Sequence, residues 1–499
     1  MLVGALASAG PAGGDPGEDH GGATHSGPPQ LPLFTGPAFS NMTLVGNSDK
    51  DGTVNSDLAF WGKLAFAGNY DGFRIFDIST PSNPRLLVDY FCRGPQNDVS
   101  VYRVRNRLLL FQSIDRPQTK ESCDGTQAGS SQDTPISTTF PGQAVFGFEG
   151  IRIFDVTNPG APVFLDGVPT ACGSHTHTLV PDLRRQRLHL YVSSYPLGSS
   201  ITPADTPADA GPRCESPHKK ISIVHVPFGN PLGWTVTEKP LSDDTAPYPG
   251  AGPALNPPFQ ACHDIQAFTK DDIAVASCAG DAQIWDISDP GNPTSANGEP
   301  HTHIYSPSAA DAFEFVHSGI VTWDGKYFAV MDETGGGVTA ECDGPPPEDG
   351  GATEHGFYYF YPMVRPGAPA PPLLSRFMIP RPQASQICVS HNANVLPVRG
   401  RYLMSAAYYQ GGNTLVDFTD VANPTEVAYS DPEDAVGLAD SWSTYWYNDY
   451  VYANGGLNRR GPTGNRGLDV FTVQFGERRL NTRNWHYMNP QTQETFQSP

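Results

Sequence analysis

One phrase returns four times along this chain, and long-period repetition means repeated supersecondary units rather than one irregular core. The copies are GFRIFDISTPSNP (72–84), GIRIFDVTNPGAP (150–162), AQIWDISDPGNP (282–293) and NTLVDFTDVANP (413–424). Asp77, Asp155, Asp286 and Asp417 are each followed seven residues later by a proline: Pro84, Pro162, Pro293 and Pro424. Alternating Ile, Phe and Val residues read as a short strand. The Asp-x-Ser/Thr step and the proline then turn the chain. Degenerate copies lie at 222–231 (SIVHVPFGNP) and 357–369 (FYYFYPMVRPGAP).

Between the phrases lies a second pattern, two apolar runs joined by a polar turn. NSDLAFWGKLAFAGNYDG (55–72) is its clearest form, and the chain holds seven such runs, starting near residues 55, 96, 174, 262, 316, 390 and 440. Asp324-Gly325 and Arg399-Gly400 stand where a hairpin needs a left-handed turn. A unit is therefore hairpin, connector, Asp…Pro strand, then a crossing to the next unit. No such unit buries both faces alone, so the units stack around an axis. The expected fold is all-β, a seven-bladed β-propeller over residues 39–480. The stretch at about 39–47 is expected to complete the last blade, because LDVFTVQ (468–474) leaves it one strand short. Residues 1–38 read as a signal remnant and an unstructured segment, and 481–499 as a tail.

The repeats resemble those of the LVIVD-repeat β-propellers over about residues 40–475, with the four full Asp…Pro phrases as the specific part. The resemblance implies a propeller, usually of exported proteins, and implies little about activity. Fold alone does not carry function.

Compartment can be argued separately. The opening MLVGALASAG, with Ala7-Ser8-Ala9, resembles the end of a signal peptide, although a basic start is missing. No apolar run approaches the roughly 20 residues of a membrane helix. Cys92, Cys172, Cys262 and Cys388 precede repeat hairpins, whereas Cys123, Cys214, Cys278 and Cys342 follow them. In a propeller, the start of the first strand and the end of the second share a face. The expected pairs are therefore Cys92–Cys123, Cys172–Cys214, Cys262–Cys278 and Cys342–Cys388, in long loops on one face. Metal thiolates are the rival, but no Cys-x-x-Cys occurs. Disulfides place the protein in an oxidising, extracytoplasmic setting, and secretion is the expectation. The formal charge of −21 argues against nucleic acid and anionic membranes as partners. Nothing in the chain speaks to its oligomeric state. Insertions at 115–147, 196–219 and 333–356 are placed to rim the axis.

The chemistry lies in four histidines at one position of the unit. His175, His263, His317 and His391 each open the first apolar run of units three to six, while Ser56, Asn97 and Ser441 hold the place elsewhere. First strands line a propeller channel, so these imidazoles are expected to converge on one metal ion. Imidazole suits iron and copper first, then zinc. Carotenoid cleavage oxygenases are similar in this architectural respect, with iron on four axial histidines in a seven-bladed propeller, but no motif of theirs occurs here. His177, Asp264, Glu314, Asp57 and His355 are candidates for additional ligands or for groups that orient the ligands. The bland alternative is a polar channel that binds ordered water.

Asn47-x-Asp49-x-Asp51-Gly52 resembles half of a calcium loop, but Leu58 stands where a glutamate is needed. We read an acidic turn there, with calcium as the rival. His301 and His303 read as rim residues. No G-x-S-x-G elbow, Walker loop or G-x-G-x-x-G occurs. The expected function is a metal-dependent oxidoreductase or oxygenase acting on a small organic substrate. The alternative is an exported, non-catalytic scaffold that binds through its loop face.

Overall fold

A computed structural model describes residues 39–499 apart from 51, 127–146, 197–211, 249–258, 309–312, 334–355, 382–387, 435–436, 439, 456–466, 476–479, 481 and 494–499. The described residues form seven blade sheets around a channel, each entered by its innermost strand, and one further two-stranded sheet. Blade one is Asn55–Trp61, Leu64–Asn69, Gly72–Asp77 and Arg85–Phe91. The first strands of blades two to seven are Gln96–Val104, Thr176–Asp182, Asp264–Phe268, Val316–Val321, Ala393–Val395 and Ser441–Tyr447. All seven expected units are present. Blade seven closes as expected: Met42–Ser48 pairs antiparallel with Gly467–Val473. Phe39–Ser40 also joins the outer strand of blade six, so one short segment ties two blades.

The repeated phrase has a local cause. In four blades the aspartate ending the third strand accepts a hydrogen bond from the amide two residues on: Asp77 from Ser79 at 2.9 Å, Asp155 from Thr157 at 2.9 Å, Asp286 from Ser288 at 2.7 Å, Asp417 from Thr419 at 2.9 Å. This turn launches the outer strand. Near the start of the third strand, Gly72 and Gly150 have φ of +146° and +143°, and a Cβ would lie 2.0 Å from Tyr90 O and 2.1 Å from Val168 O of the outer strands. A glycine is required at both.

The apolar residues pack between blades. Leu109, Phe111 and Ile153 of blade two meet Leu179, Leu190 and Val224 of blade three. Met331 and Phe360 of blade five meet Met404 and Val416 of blade six. Each such side chain contributes about 1.5–3 kcal/mol on burial, so the ring holds by its seams. Disulfides Cys92–Cys123, Cys172–Cys214 and Cys262–Cys278 form as expected, and they indicate an oxidising, extracytoplasmic environment. Cys342, much of the three insertions, His355 and the candidate signal remnant lie outside the described residues. Among the described residues, no helix is long and apolar enough to cross a membrane.

The C-terminal segment returns to the propeller. Tyr487–Met488 pairs with blade one, and Thr492–Gln493 runs parallel to the first strand of blade four. The Asn489 side chain accepts from Val101 N–H at 2.7 Å and donates to Val101 O at 2.9 Å. Together with Tyr102, Asp182, Gln266, Trp323 and Tyr445, this segment lines a cavity of about 470 Å³. The cavity sits at the ends of the first strands, opposite the end where the four histidines stand. Asn47 lies in a strand, where its amide donates to Asp469 at 2.7 Å; Asp51 is outside the described residues.

Candidate metal centre

Four blades present an imidazole at the same entry to the channel because each histidine pairs with the second strand in a similar way. His175, His263 and His391 donate their backbone N–H to Ser193, Ser277 and Ala407. In blade five the register slips between Val316 and Ser318, and His317 sits in that bulge. The rings form a continuous row, with centroids 4.4 Å apart from His175 to His263, 4.0 Å to His317 and 4.3 Å to His391. All four residues are 1 % exposed.

Among the described residues, His175 and His391 fall outside the tightest group of ligand atoms. His175 is engaged at both nitrogens: its Nδ1 lies 2.9 Å from Asp115 Oδ2, and its Nε2 lies 3.1 Å from Gln96 Nε2. Gln96 Oε1 accepts from Tyr70 OH at 2.7 Å. The amide therefore donates to the His175 Nε2 lone pair, and the Nδ1 proton goes to Asp115. Three groups converge instead: ligand atoms of His263, His317 and Glu333 lie within 4.8 Å of one another. Glu333 Oε2 is 3.7 Å from His317 Nε2, and Oε1 is 3.7 Å from His391 Nε2. Tyr409 OH donates to Glu333 Oε1.

Backbone carbonyls orient two of the rings. His263 Nδ1 lies 3.1 Å from His317 O, and His391 Nδ1 contacts Trp442 O. A carbonyl only accepts, so both rings carry the proton on Nδ1 and present Nε2 as the basic nitrogen. Tyr195, Phe315 and Trp442 wall the row, with ring centroids 5.9 Å and 5.1 Å from His263 and 5.0 Å from His391.

The other sequence candidates lie elsewhere. The carboxylate beside His317 is Glu333 rather than Glu314, whose backbone N–H meets Asp332. His177 is held between Ser100 Oγ at 2.6 Å and Ser113 Oγ at 2.8 Å. Burial pushes its pKa down to about 3, so it is a neutral, hydrogen-bonded core residue. Asp264 accepts from the Gln491 amide at 3.1 Å. Asp57 accepts from Leu58 N–H at 2.8 Å and from the Asn392 amide at 3.2 Å. Burial raises Asp57 to about 7 and Asp264 to about 6, and pushes their neighbour Asp98 well up. These three form a separate carboxylate layer in the channel.

Sequence reasoning missed Glu333, Asp115, Gln96 and Tyr409. A faint signal existed. Tyr195 and Tyr409 stand two residues beyond the second-strand partners of His175 and His391. Asp115 and Glu333 occupy the same exit in blades two and five, where their N–H groups bond to Pro95 O and Phe315 O. Aligning the seven hairpins on that exit would have exposed them.

These features define a seven-bladed β-propeller with a buried histidine–glutamate cluster at one end of its channel. The family model for the LVIVD repeat matches residues 54–91, the hairpin and first Asp…Pro strand of blade one. No curated protein matches the chain.

Proposed function

We propose that this protein is an exported metalloprotein that holds one transition-metal ion between His263, His317 and Glu333, and that it is an oxidoreductase acting on a small organic molecule. The observation that carries the reading is the convergence of two imidazoles and a carboxylate within 4.8 Å at a buried channel entry. The set fits the group. Two histidines and one carboxylate are the ligands of ferrous oxygenase sites, with copper and zinc as neighbours in preference. Such an ion, when bound, supplies open positions for dioxygen or substrate.

The chain's own residues do the rest. The Nδ1–H bond of His263 to a carbonyl raises the basicity of its Nε2. Tyr409 orients the Glu333 carboxylate and stands ready to hold a proton there. His391, 3.7 Å from Glu333 Oε1, completes a polar edge. The aromatic wall of Tyr195 and Phe315 favours an apolar substrate and keeps water out.

The test is elemental analysis of protein purified without chelator and then reconstituted with Fe²⁺, Cu²⁺ or Zn²⁺. One equivalent, lost on His263→Ala, His317→Ala or Glu333→Gln, is the expected result. Less than about a tenth of an equivalent, where a ligand set of this kind should fill, overturns the reading in favour of the scaffold alternative.

A further inference from the structure

Outside the channel, the outer strand of blade four carries a second histidine pair. His301 and His303 both lie on His301–Ile304 and alternate with Thr302, so they project from the same sheet face. Their Nε2 atoms are 3.0 Å apart. His303 Nε2 also lies 3.2 Å from Asp244 Oδ1, which comes from the connection between blades three and four. Ligand atoms of all three residues lie within 4.8 Å of one another.

Each ring is held from behind. His301 Nδ1 lies 2.9 Å from Glu299 O, and a carbonyl can only accept, so that nitrogen carries the proton. His303 Nδ1 lies 2.5 Å from Oδ2 of Asp281, whose side chain is fully buried. Gln283, paired with His303 across the sheet, donates its amide to the same carboxylate at 3.3 Å. Tyr305 stacks on His303 with centroids 5.4 Å apart and planes 6° from parallel, and its hydroxyl donates to Asp244 O at 2.9 Å. The two Nε2 atoms face one another at 3.0 Å beside the Asp244 carboxylate, an arrangement that one shared proton or one shared cation satisfies. A tetrahedral cation bonded to two imidazoles at about 2.0–2.1 Å holds the nitrogens about 3.3 Å apart, a small opening of the 3.0 Å pair.

We propose that His301, His303 and Asp244 form a second metal site, on the outer strand of blade four, for a divalent ion of the zinc or copper class. Asp281 and Glu299 O are positioning groups of the kind that set the tautomer of ligating histidines. Asp244 is 64 % exposed at its side chain, so water completes the coordination. The site is independent of the channel centre.

Zn²⁺ titration of the chelator-treated full chain tests it, with calorimetric and competition readouts. His301→Ala, His303→Ala and Asp244→Asn should each weaken one binding event at least about 10-fold, as expected for loss of a ligand. Glu333→Gln should leave that event unchanged. Cu²⁺ electron paramagnetic resonance should show two imidazole nitrogens, falling to one in His301→Ala. Asp244→Asn alters an exposed side chain, and so keeps the test open if a histidine variant folds poorly. Zn²⁺ isotherms that are the same in wild type, Asp244→Asn and His301→Ala overturn the proposal, and the pair then shares a proton instead.

Discussion

Glu333→Gln separates a metal ligand from a structural carboxylate, because the two roles predict opposite signs. Glu333 is fully buried between His317 Nε2 and His391 Nε2, each 3.7 Å away, and accepts from Tyr409. Glutamine keeps the shape and can still accept from Tyr409. It removes a buried carboxyl, whose ionised form is costly where no cation neutralises it. Chelator-treated Glu333→Gln should therefore melt at or above the wild-type temperature. With metal present the order reverses. At a metal concentration about 1,000 times Kd, wild type gains about 4 kcal/mol by linkage. A variant binding 100-fold more weakly gains about 1.4 kcal/mol at that concentration. For a chain of this size the unfolding entropy is about 1 kcal/mol/K, so the shifts are about 4 °C and about 1 °C. Differential scanning calorimetry with and without Fe²⁺ or Zn²⁺ reads both numbers. Equal metal-induced shifts in the two proteins would refute the ligand assignment. So would a chelated variant several degrees less stable than chelated wild type.

Asp57 gives a pH prediction. Burial raises its folded pKa to about 7 from 3.8, so the folded state holds a proton that the unfolded chain releases. Its contribution is present below about pH 4 and lost as pH rises to about 7, by up to about 4 kcal/mol. Asp57→Asn should raise the melting temperature at pH 8 and change it little at pH 4, with Asn392 flipping its amide to accept; an equal loss at both pH values counts against it. Removing Cys92–Cys123, which closes a separation of 31 residues, should cost about 3–4 kcal/mol, read by chemical denaturation of Cys92→Ser/Cys123→Ser. Met42, 2 % exposed in the seam of blades six and seven, should cost about 2–3 kcal/mol when cut to alanine. A loss below about 0.5 kcal/mol, as at an exposed site, would mean that the closing strand does not hold the ring.

What was legible in the sequence follows from how local each cause is. The Asp…Pro phrase encodes a turn within a few residues, so Asp77, Asp155, Asp286 and Asp417 could be read without tertiary knowledge. The histidine register was legible because ring closure brings equivalent positions together. Glu333 was not, because it leaves a second strand just before an insertion, where no periodicity marks it. Asp115 and Gln96, which contact the two ring nitrogens of His175, come from another blade and could not be read from its own hairpin. The return of residues 487–493 was also invisible. Its strands are two residues long, and it is fixed by Asn489 bonding a backbone 388 residues away. The nearness of His301 to His303 was plain in the sequence; Asp244, 57 residues before His301 and from another connection, was not.

The ring divides one structural position between two duties. In blades one, two and seven that position stitches backbone. Ser56 Oγ donates to Asn97 O at 2.9 Å, the Asn97 amide donates to Gly72 O at 3.1 Å, and Ser441 exchanges backbone hydrogen bonds with Tyr409 at 2.9 and 3.2 Å. These are the blades around the seam where the chain closes on itself. Blades three to six lie away from that seam and carry imidazoles instead. Three of those imidazoles, on blades four, five and six, stand around Glu333. A polar row thus arises on one arc of the channel while the closing arc keeps small residues that bond the backbone. Exchanging Asn97 for histidine would cost the closing arc its backbone stitch, whereas exchanging His263 or His317 for alanine removes a proposed ligand and leaves the seam intact. The histidine variants should therefore lose metal without losing the fold.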